Sequence, residues 1–519
     1  MPEASAPGPL PQRAMQSATI TETASGLELP ARVRALPAGL LRALALGALA
    51  LIALAAYLLF PTFPTYDSFY ALLWGKALIA GHLPDLHVYR APTEHPLAII
   101  FGALCSLFGS AAPRLMILGS FVSFLALIAG IFRVARLAFG EVVAWIAAAL
   151  MLSRFYDVNL MIQGYLDISY IALIVWAIAL ELQRPRRGGA VLLALLAAGL
   201  LRPDAWVLSG CYWLWWAWPR RHERARVARY ALLAASAALI WVAFDWVLTG
   251  DPLHSFKATT ALAGELERSH GISAVLSSLY PFAVRIDKAP VVLGALLGAG
   301  AAIYIAPRRA AIPLAALVLQ VAVFIAEGAV GASVINRYLL SACALAVVFC
   351  AFALGGWSLL ERSLRRTLWM AAAAALLAYG ALNVLETFHI SELPRTMAYH
   401  EDFHVDLARA LQSAPVRGAL ARCPLVSLPD NKLIPDARFI LGAGHARILA
   451  RSQASDQAAA GSFGLERALA RGSVAVYPLG AAVFFEALVD PGDRALDQVP
   501  PEGFRLLYSS QFYAVYANC

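Results

Sequence analysis

The most constraining feature of this sequence is a succession of apolar stretches long enough to cross a lipid bilayer. A transmembrane helix needs about 20 mostly apolar residues, and stretches near this length occupy residues 39–60, 115–131, 230–248 and 338–360. The 519-residue chain is 60% hydrophobic and only 14% charged, whereas a soluble protein carries about 25% charged residues. The sequence therefore predicts a polytopic α-helical membrane protein.

Short arginine clusters separate the apolar stretches and predict the topology. Cytoplasmic loops carry an excess of basic residues, so the net charge of +8 indicates membrane orientation rather than nucleic-acid binding. With every cluster inside, the N-terminus is cytoplasmic and the C-terminus lies outside. The clusters are Arg133/Arg136, Arg184/Arg186/Arg187, Arg220/Arg221/Arg224/Arg226/Arg229, Arg308/Arg309 and Arg362/Arg365/Arg366.

This arrangement predicts about 11 transmembrane helices. Residues 97–108 are too short to span the bilayer, and we predict a horizontal or re-entrant helix on the outer side. The turn "LLRPDAW" makes its two flanking segments either two short spans or one broken element. The predicted spans are 39–60, 113–133, 139–153, 168–183, 188–201, 204–218, 230–249, 290–306, 310–327, 338–360 and 367–388.

Composition divides the chain into three parts. Residues 1–37 are rich in Pro, Ala and Ser and lack an apolar core, which predicts a disordered cytoplasmic tail. Residues 38–390 form the predicted transmembrane domain, with a first outer loop at 61–112. Residues 391–519 are less apolar and contain the strand-like runs "RFILG", "SVAVYPLG", "FRLLYSS" and "FYAVYANC". They predict a small extracytoplasmic α/β domain.

The cysteines fit this division. Cys423 and Cys519 are the only two in the predicted outer domain, and an oxidising compartment permits a disulfide between them. The alternative is a pair of free thiols. The other four cysteines lie in apolar segments, where packing explains them.

Ionisable residues collect at the outer ends of the predicted spans. Such groups are costly at membrane depth and are functional candidates. A carboxylate there can take a proton from an acceptor hydroxyl as general base, and an arginine can bind a lipid phosphate and stabilise it as a leaving group. The residues concerned are Asp67, Glu94, His95, Asp167, Arg202 and Arg337.

Structural roles explain the same residues individually. Asp67 could cap a helix starting near Ser68. Glu94 and His95 precede Pro96, which favours a helix start, and the arginines could be interfacial anchors. The segment "SFYALLWGKALIAG" after Asp67 predicts an amphipathic helix on the outer leaflet, with Lys76 on its polar side.

The order of motifs resembles the GT-C superfamily of polyprenyl-phosphate-sugar-dependent membrane glycosyltransferases, in its protein O-mannosyltransferase and lipid A aminoarabinose transferase branch. The resemblance covers roughly residues 40–210, with weaker matches in "RPDAW" and "NRYLL". Its motifs are "YDSFY" with Asp67, "TEHPL" from Glu94 to Leu97, "LFGSAAPRL", "RLAFG" and "GYLDISY" with Asp167.

The resemblance implies a sugar transfer from a polyprenyl phosphate to an acceptor glycan, lipid or protein at the outer face of the plasma membrane. It implies Asp67 as catalytic base, or as an acid that positions the acceptor or a metal ion, with Glu94 and Asp167 in the same cavity. Arg337 is the implied donor-phosphate ligand, supported by Arg202 and by His95. Some relatives use a divalent metal ion, for which Asp67, Glu94 and His95 would be the ligands.

Two other functions remain open at this stage. A transporter or flippase of lipid-linked sugars would place ionisable groups near the bilayer midplane and would often show repeated halves. A non-catalytic envelope-assembly protein would use the outer domain to bind a partner.

Overall fold

A computed structural model describes residues 37–60, 62–86, 88–266, 268–387, 392–480 and 500–519. The predicted tail 1–37 lies outside the described residues except for Pro37, and the predicted boundary near residue 390 also lies outside them. The chain divides into two compact units, Met1–Ala48 and Leu49–Cys519. The second unit contains both the apolar helices and the C-terminal sheet, so the boundary predicted between them stays a prediction.

The described part of the chain before residue 388 is helical. Most helices are apolar along their whole length, as expected for segments that satisfy their backbone hydrogen bonds internally. They are α1 (Ala38–Leu59), α2 (Tyr66–Ile79), α3 (Pro96–Ser106), α4 (Ala112–Phe139), α5 (Glu141–Leu152), α6 (Phe155–Ile162), α7 (Leu166–Gln183), α8 (Gly189–Gly199), α9 (Asp204–Ala217), α10 (Arg224–Thr249), α11 (His254–Glu265), α12 (Ile272–Asp287), α13 (Ala289–Ile305), α14 (Pro307–Ala329), α15 (Leu340–Gly355) and α16 (Leu364–Thr387).

The helices support a multi-pass membrane protein. Each predicted span coincides with one helix, and among the described residues seven helices are long and apolar enough to cross a bilayer. Helices α12 and α13 meet at an angle of 108° and add an eighth span if they are taken together. Helices α3, α5 and α8 are apolar but shorter.

Helix α15 forms the centre of the helical part. All of its residues except Ala346 are buried, and it packs against α4, α5, α7, α13 and α14. The approach of α13 is so close that a Cβ at Gly298 would lie 1.8 Å from the Phe349 carbonyl oxygen. A glycine is therefore required at this crossing, since any side chain would displace the helix.

Helix α2, which carries Asp67, packs against α3. A Cβ at Gly75 would lie 2.2 Å from the Ala103 nitrogen, and one at Gly102 would lie 2.4 Å from the Ala71 oxygen. The helix predicted after Asp67 exists, but its predicted position on the membrane surface was wrong. Helix α3 covers one side of α2, and the C-terminal domain contacts another. Lys76 is exposed, as predicted, with its ammonium 5.9 Å from the Phe439 ring.

The C-terminal part of the chain contains a small sheet with helices around it, as predicted. Its sheet has the order β2-β1-β3-β5-β4, in which β1 pairs parallel with β2 and β3, and β5 pairs antiparallel with β3 and β4. The elements are α17 (Glu392–Gln412), α18 (Ala414–Leu420), β1 (Leu425–Leu428), α19 (Ile434–Leu441), β2 (Ile448–Ala450), α20 (Arg451–Ala459), α21 (Gly464–Arg471), β3 (Ser473–Pro478), β4 (Arg505–Ser509) and β5 (Tyr513–Ala517).

One strand prediction in this domain was wrong. The run "RFILG" is the end of α19, which begins with a proline in its first turn and stops at Gly442, where φ is 61°. These are start and stop signals of a helix, and they override the β propensity of the run. The runs containing β3, β4 and β5 are strands as predicted.

A disulfide joins Cys423 to Cys519, with Cα atoms 5.6 Å apart. It ties the last residue of the chain to the segment just before β1. The domain also contacts the first outer loop, because the Tyr89 hydroxyl and an Arg90 nitrogen both donate to Asp456 Oδ2, at 2.6 Å and 3.2 Å. His445 Nδ1 lies 2.6 Å from Asp85 Oδ2. The domain is thereby held against the segment that carries Asp67.

Candidate active site

A cavity of about 1110 Å³ lies where several helix ends meet the C-terminal domain. The start of α2, the α8–α9 turn, α11 and the turn before α15 supply its walls. So does the segment after β1. Breaks between helices leave backbone and polar side chains without helical neighbours, so they are natural places for a polar site within an apolar bundle.

Asp67 lies on the wall of this cavity as the second residue of α2. The N-cap is Thr65, so Asp67 is not the cap that sequence alone left open. A carboxylate in the first turn is favoured by the helix dipole. The side chain keeps 26% of its surface exposed, so Asp67 is available to a molecule in the cavity.

Four residues predicted from the sequence come together in one row of charged side chains: Asp67, Asp167, Arg202 and Arg337. Arg337 Nη1 lies 3.5 Å from Asp67 Oδ2 and 3.4 Å from Asp167 Oδ2. Arg202 Nη1 lies 2.8 Å from Asp167 Oδ1, and its Nη2 lies 2.6 Å from Asp204 Oδ2. Carboxylates and guanidinium groups alternate along this row, so each charge is compensated by its neighbours.

Solvent exposure divides this row of side chains into an exposed front and a buried back. Asp67 and Arg337 have side chains 26% and 27% exposed, while those of Asp167 and Arg202 are only 4% and 7% exposed. Burial alone would lower the pKa of the Arg202 guanidinium, but Asp204 and Asp167 hold that pKa well above its usual value. Arg202 is therefore a permanent buried cation behind the exposed pair.

Glu94 does not join this group. Its Oε2 accepts a hydrogen bond of 2.9 Å from the Ser255 hydroxyl, and its Oε1 lies 3.4 Å from His254 Nε2. The same hydroxyl lies 2.7 Å from Asp245 Oδ1, so its one proton is shared between the two carboxylates, and the Ser255 amide donates to Asp245 Oδ2 at 2.9 Å. Glu94 is 1% exposed and connects the start of α3 to the start of α11 behind the cavity wall.

His95 is the N-cap of α3 and lines the cavity. Burial lowers the pKa of its imidazole to about 4, and Arg202 lowers it further while Asp67 and Asp167 oppose the shift. At neutral pH the ring is uncharged. It can exchange hydrogen bonds with a ligand but cannot supply the positive charge that a phosphate site needs.

The metal ligands implied by the resemblance do not form a common set here. Asp67 pairs with Arg337, while Glu94 is turned towards Ser255 and His254. Across the described ranges, no group of three or more His, Cys, Asp or Glu side chains is arranged to hold a metal ion. The three residues therefore do not fit a metal centre, and we derive no chemical step through one.

Two cations that sequence reasoning missed, Arg268 and Arg285, also line the cavity. Among the described residues neither side chain has a carboxylate partner within salt-bridge distance. Arg285 is near the end of α12, which is fixed because Asp287 Oδ1 lies 3.0 Å from Arg154 Nε. In the sequence both arginines lie in the long outer loop among charges of either sign, without a motif to single them out.

Another wall of the cavity is apolar. Its side chains come from the start of α9, from α10, and from α11 with the residues on either side of it, and several are only partly covered by protein. Phe256 is 57% exposed and Leu253 52% exposed. The apolar lining residues are Trp206, Trp241, Val242, Leu253, Phe256, Leu262 and Leu266.

Comparisons with known proteins find similarity in structure. No family model matches the sequence, and no curated protein matches it. The structure is similar to ArnT from Cupriavidus metallidurans bound to undecaprenyl phosphate, with a TM-score of 0.55 and 14% identity, over 93% of this chain and 99% of that one.

A second similarity is to the archaeal oligosaccharyltransferase AglB from Archaeoglobus fulgidus in complex with an inhibitory peptide and a dolichol-phosphate. It has a TM-score of 0.51 and 13% identity, over 92% of this chain and 74% of that one. An oligosaccharyltransferase from Archaeoglobus fulgidus in complex with Zn and sulfate matches with a TM-score of 0.50 and 14% identity, over 91% and 73% of the two chains.

At these identities the similarity establishes the architecture. It extends over the helices and the C-terminal domain alike, since more than nine-tenths of this chain is covered. The resemblance drawn from the order of sequence motifs is confirmed at the level of the fold: this chain has the fold seen in ArnT and in AglB.

Proposed function

We propose that this protein is a membrane glycosyltransferase that moves a sugar from a polyprenyl-phosphate carrier to an acceptor on the outer face of the plasma membrane. The observation that carries the proposal is the exposed pair of Asp67 and Arg337 on one cavity wall, 3.5 Å apart. A carboxylate and a guanidinium at one site can serve the nucleophile and the leaving group of a single transfer. The folds of ArnT and AglB support this class of activity.

The two kinds of wall suit the two ends of a lipid-linked donor. The partly exposed Leu253 and Phe256 can cover an isoprenoid chain, since burying apolar surface is favourable. Arg285 and Arg337 can bind the phosphate, and guanidinium groups match phosphate oxygens in a bidentate manner. The solved structures of ArnT with undecaprenyl phosphate and of AglB with a dolichol-phosphate agree with a carrier of this kind.

Asp67 would act as the general base. Its carboxylate takes the proton from the acceptor hydroxyl while the acceptor oxygen bonds to the anomeric carbon of the sugar. The bond from that carbon to the phosphate oxygen breaks, and the electron pair leaves with the polyprenyl phosphate. Arg337 stabilises the negative charge on this leaving group. Attack opposite the phosphate inverts the configuration at the anomeric carbon.

The buried carboxylates have different roles in this proposal. Asp167 and Arg202 are positioning residues, because they lie behind Arg337 and fix it through the contact at 3.4 Å. Glu94 positions the start of α11 through Ser255. The implied roles of Asp167 and Glu94 as catalytic residues are therefore replaced by roles that act through other residues.

We further propose the topology indicated by the basic clusters. All 11 predicted spans coincide with helices, and the short helices α5, α8 and α9 cross the bilayer together with their flanking residues. The N-terminus is cytoplasmic, and the C-terminal domain lies outside. An outer location agrees with the disulfide between Cys423 and Cys519, since disulfides persist in oxidising compartments.

Mass spectrometry of cell-envelope glycans, glycolipids and glycoproteins tests the proposed function. A deletion strain should lose one sugar modification, the wild-type gene should restore it, and an Asp67→Asn variant that is equally abundant in the membrane should not. Full restoration by Asp67→Asn would overturn the proposed role of Asp67. Accumulation of sugar-lipid on one leaflet, with transfer intact in open vesicles, would identify a flippase instead.

A further inference from the structure

The C-terminal domain supplies one wall of the cavity. Its contribution comes from α17 and from the segment that follows β1, and the lining residues are Phe403, His404, Asn431, Lys432, Leu433 and Asp436. Strand β1 lies between β2 and β3 and runs parallel to both. In α/β sheets, ligands bind beyond the carboxyl ends of parallel strands, and the segment after β1 is at such an end.

This segment is a built turn with one unsatisfied polar atom. The Lys432 amide donates a 2.8 Å hydrogen bond to Asp430 Oδ1, and the Ile434 amide donates to the Asn431 carbonyl at 3.2 Å. Asn431 is 4% exposed, yet its Oδ1 has no hydrogen-bond partner among the described residues. An unpaired buried acceptor is costly, so a ligand that donates a hydrogen bond there would be favoured.

His404 lines the same wall of the cavity and offers a second acceptor. Its Nδ1 lies 3.1 Å from Asp436 Oδ1, an oxygen without a hydrogen bond among the described residues, and this nearby negative charge favours the tautomer with the proton on Nδ1. The Nε2 atom is then an acceptor. The ring of His404 stacks on that of Phe63, with centroids 4.5 Å apart. This contact fixes the orientation of the imidazole, and Phe63 lies four residues before Asp67.

The C-terminal segment also touches the segment that carries Asp67. Lys432 Nζ lies 5.7 Å from the ring centroid of Tyr66, the residue immediately before Asp67. Asn431 and His404 therefore line the same cavity as the proposed base, on a wall that adjoins the start of α2. The apolar wall for the lipid is formed by other elements, α9 to α11.

We propose that Asn431 and His404 form a carbohydrate subsite, in which the C-terminal domain accepts hydrogen bonds from hydroxyl or amino groups of a sugar. The inference rests on the proposed function and deepens it. Two molecules present such groups at this position: the sugar of the donor lipid and the acceptor. The subsite makes the C-terminal domain a determinant of substrate choice.

The test uses the full-length chain in membranes of the deletion strain and, after purification, in nanodiscs. Asn431→Ala and His404→Ala should each reduce transfer about tenfold, the loss expected for one hydrogen bond to substrate. His404→Gln keeps a donor for Asp436 and an acceptor oxygen, and should retain most activity. Arg505→Ala changes an exposed residue of β4 and serves as the matched control.

Binding of bare undecaprenyl phosphate, measured by native mass spectrometry, separates this inference from the proposed function. Asn431→Ala should bind this probe as the wild type does, because the probe lacks a sugar. If the wild type neither binds the probe nor transfers a sugar, the proposed function fails. If the wild type transfers and both alanine variants keep wild-type rates and KM values, the subsite is wrong.

Two further readings decide which sugar occupies the subsite. Reduced co-purification of sugar-linked polyprenyl phosphate with Asn431→Ala identifies the donor sugar. Unchanged co-purification with a raised KM for the acceptor extract identifies the acceptor. A fall in thermal stability equal to that in activity, with no rescue by His404→Gln, would make the two residues structural and overturn the inference.

Discussion

Arg202 Nη1 lies 2.8 Å from Asp167 Oδ1, and both side chains are almost completely buried. This pair holds the exposed part of the site in place, because the other oxygen of Asp167 contacts Arg337 at 3.4 Å. Arg337 in turn contacts Asp67 at 3.5 Å. The position of the proposed catalytic pair therefore depends on a buried ion pair behind it.

Asp167→Asn should destabilise the protein clearly, by somewhat less than the about 3–5 kcal/mol lost when a buried charge is left alone, because the buried Arg202 keeps Asp204 as its carboxylate partner. Thermal unfolding in detergent, followed by intrinsic fluorescence, measures the effect. Asp67→Asn is the matched control, since a partly exposed ion pair contributes about 0–1 kcal/mol.

Equal stability of the two variants would contradict the assignment of Asp167 as a positioning residue. If Asp167→Asn were as stable as the wild type but inactive, Asp167 would act directly on substrate, as the sequence resemblance implied.

Arg285→Ala should weaken the binding of undecaprenyl phosphate by at least about tenfold, because a hydrogen bond to a charged group contributes about 1.5–3 kcal/mol. Arg285 is well suited to the phosphate since no carboxylate among the described residues pairs with it, whereas Arg337 is shared between two acids. Native mass spectrometry with the bare lipid gives the affinity.

Arg505→Ala removes the same charge from the outer domain and should bind undecaprenyl phosphate as the wild type does. The phosphate assignment is wrong if Arg285→Ala binds as tightly as this control. If only Arg337→Ala loses binding of undecaprenyl phosphate, the phosphate ligand is Arg337, the residue that the sequence indicated.

The sequence alone predicted that Asp67, Asp167 and Arg337 lie together, because the charge of loops and the order of motifs can be read locally along the chain. The basic clusters assigned Asp67, Asp167 and Arg337 to one side of the membrane, and the motif order connected them. The contact between Glu94 and Ser255 spans 161 positions and follows no local pattern. The cavity wall around Asn431 depends on how the C-terminal domain meets α2, which no periodicity in the sequence predicts.

Glu94→Gln and Glu94→Ala should differ clearly. Glutamine keeps an oxygen that accepts from Ser255 and should lower transfer by less than about threefold. Alanine removes this buried acceptor, and because Ser255 still has Asp245 as an acceptor, the cost should be near the lower end of about 1–3 kcal/mol. Transfer assays and thermal unfolding on the two variants measure this. If glutamine abolishes transfer with unchanged stability, Glu94 needs its charge for catalysis and the positioning role is wrong.

The pH dependence of stability should report on His95. Its folded pKa is lowered to about 4 by burial, against about 6.5 in an unfolded chain. The unfolded state therefore binds a proton that the native state refuses. The contribution of His95 to stability is complete above about pH 6.5 and is lost as the pH falls towards 4.

His95→Gln removes this titration and should lose less stability than the wild type between pH 7 and pH 5. The difference between the two proteins, measured by thermal unfolding at each pH, isolates His95 from the other acids. An identical loss in both would mean that the imidazole is protonated in the native state.

Reduction of the Cys423–Cys519 disulfide should destabilise the C-terminal domain by about 4–5 kcal/mol, the loop-closure term for a sequence separation near 100 residues; here the separation is 96. The bond fixes the last residue beyond β5, the strand that joins β3 to β4. Thermal unfolding with and without dithiothreitol measures the effect. The Cys423→Ser/Cys519→Ser variant should match the reduced wild type and should not respond to dithiothreitol, because the four remaining cysteines are free thiols. A response in that variant would assign the effect to other thiols, and no effect in either protein would mean that β5 stays paired without the covalent link.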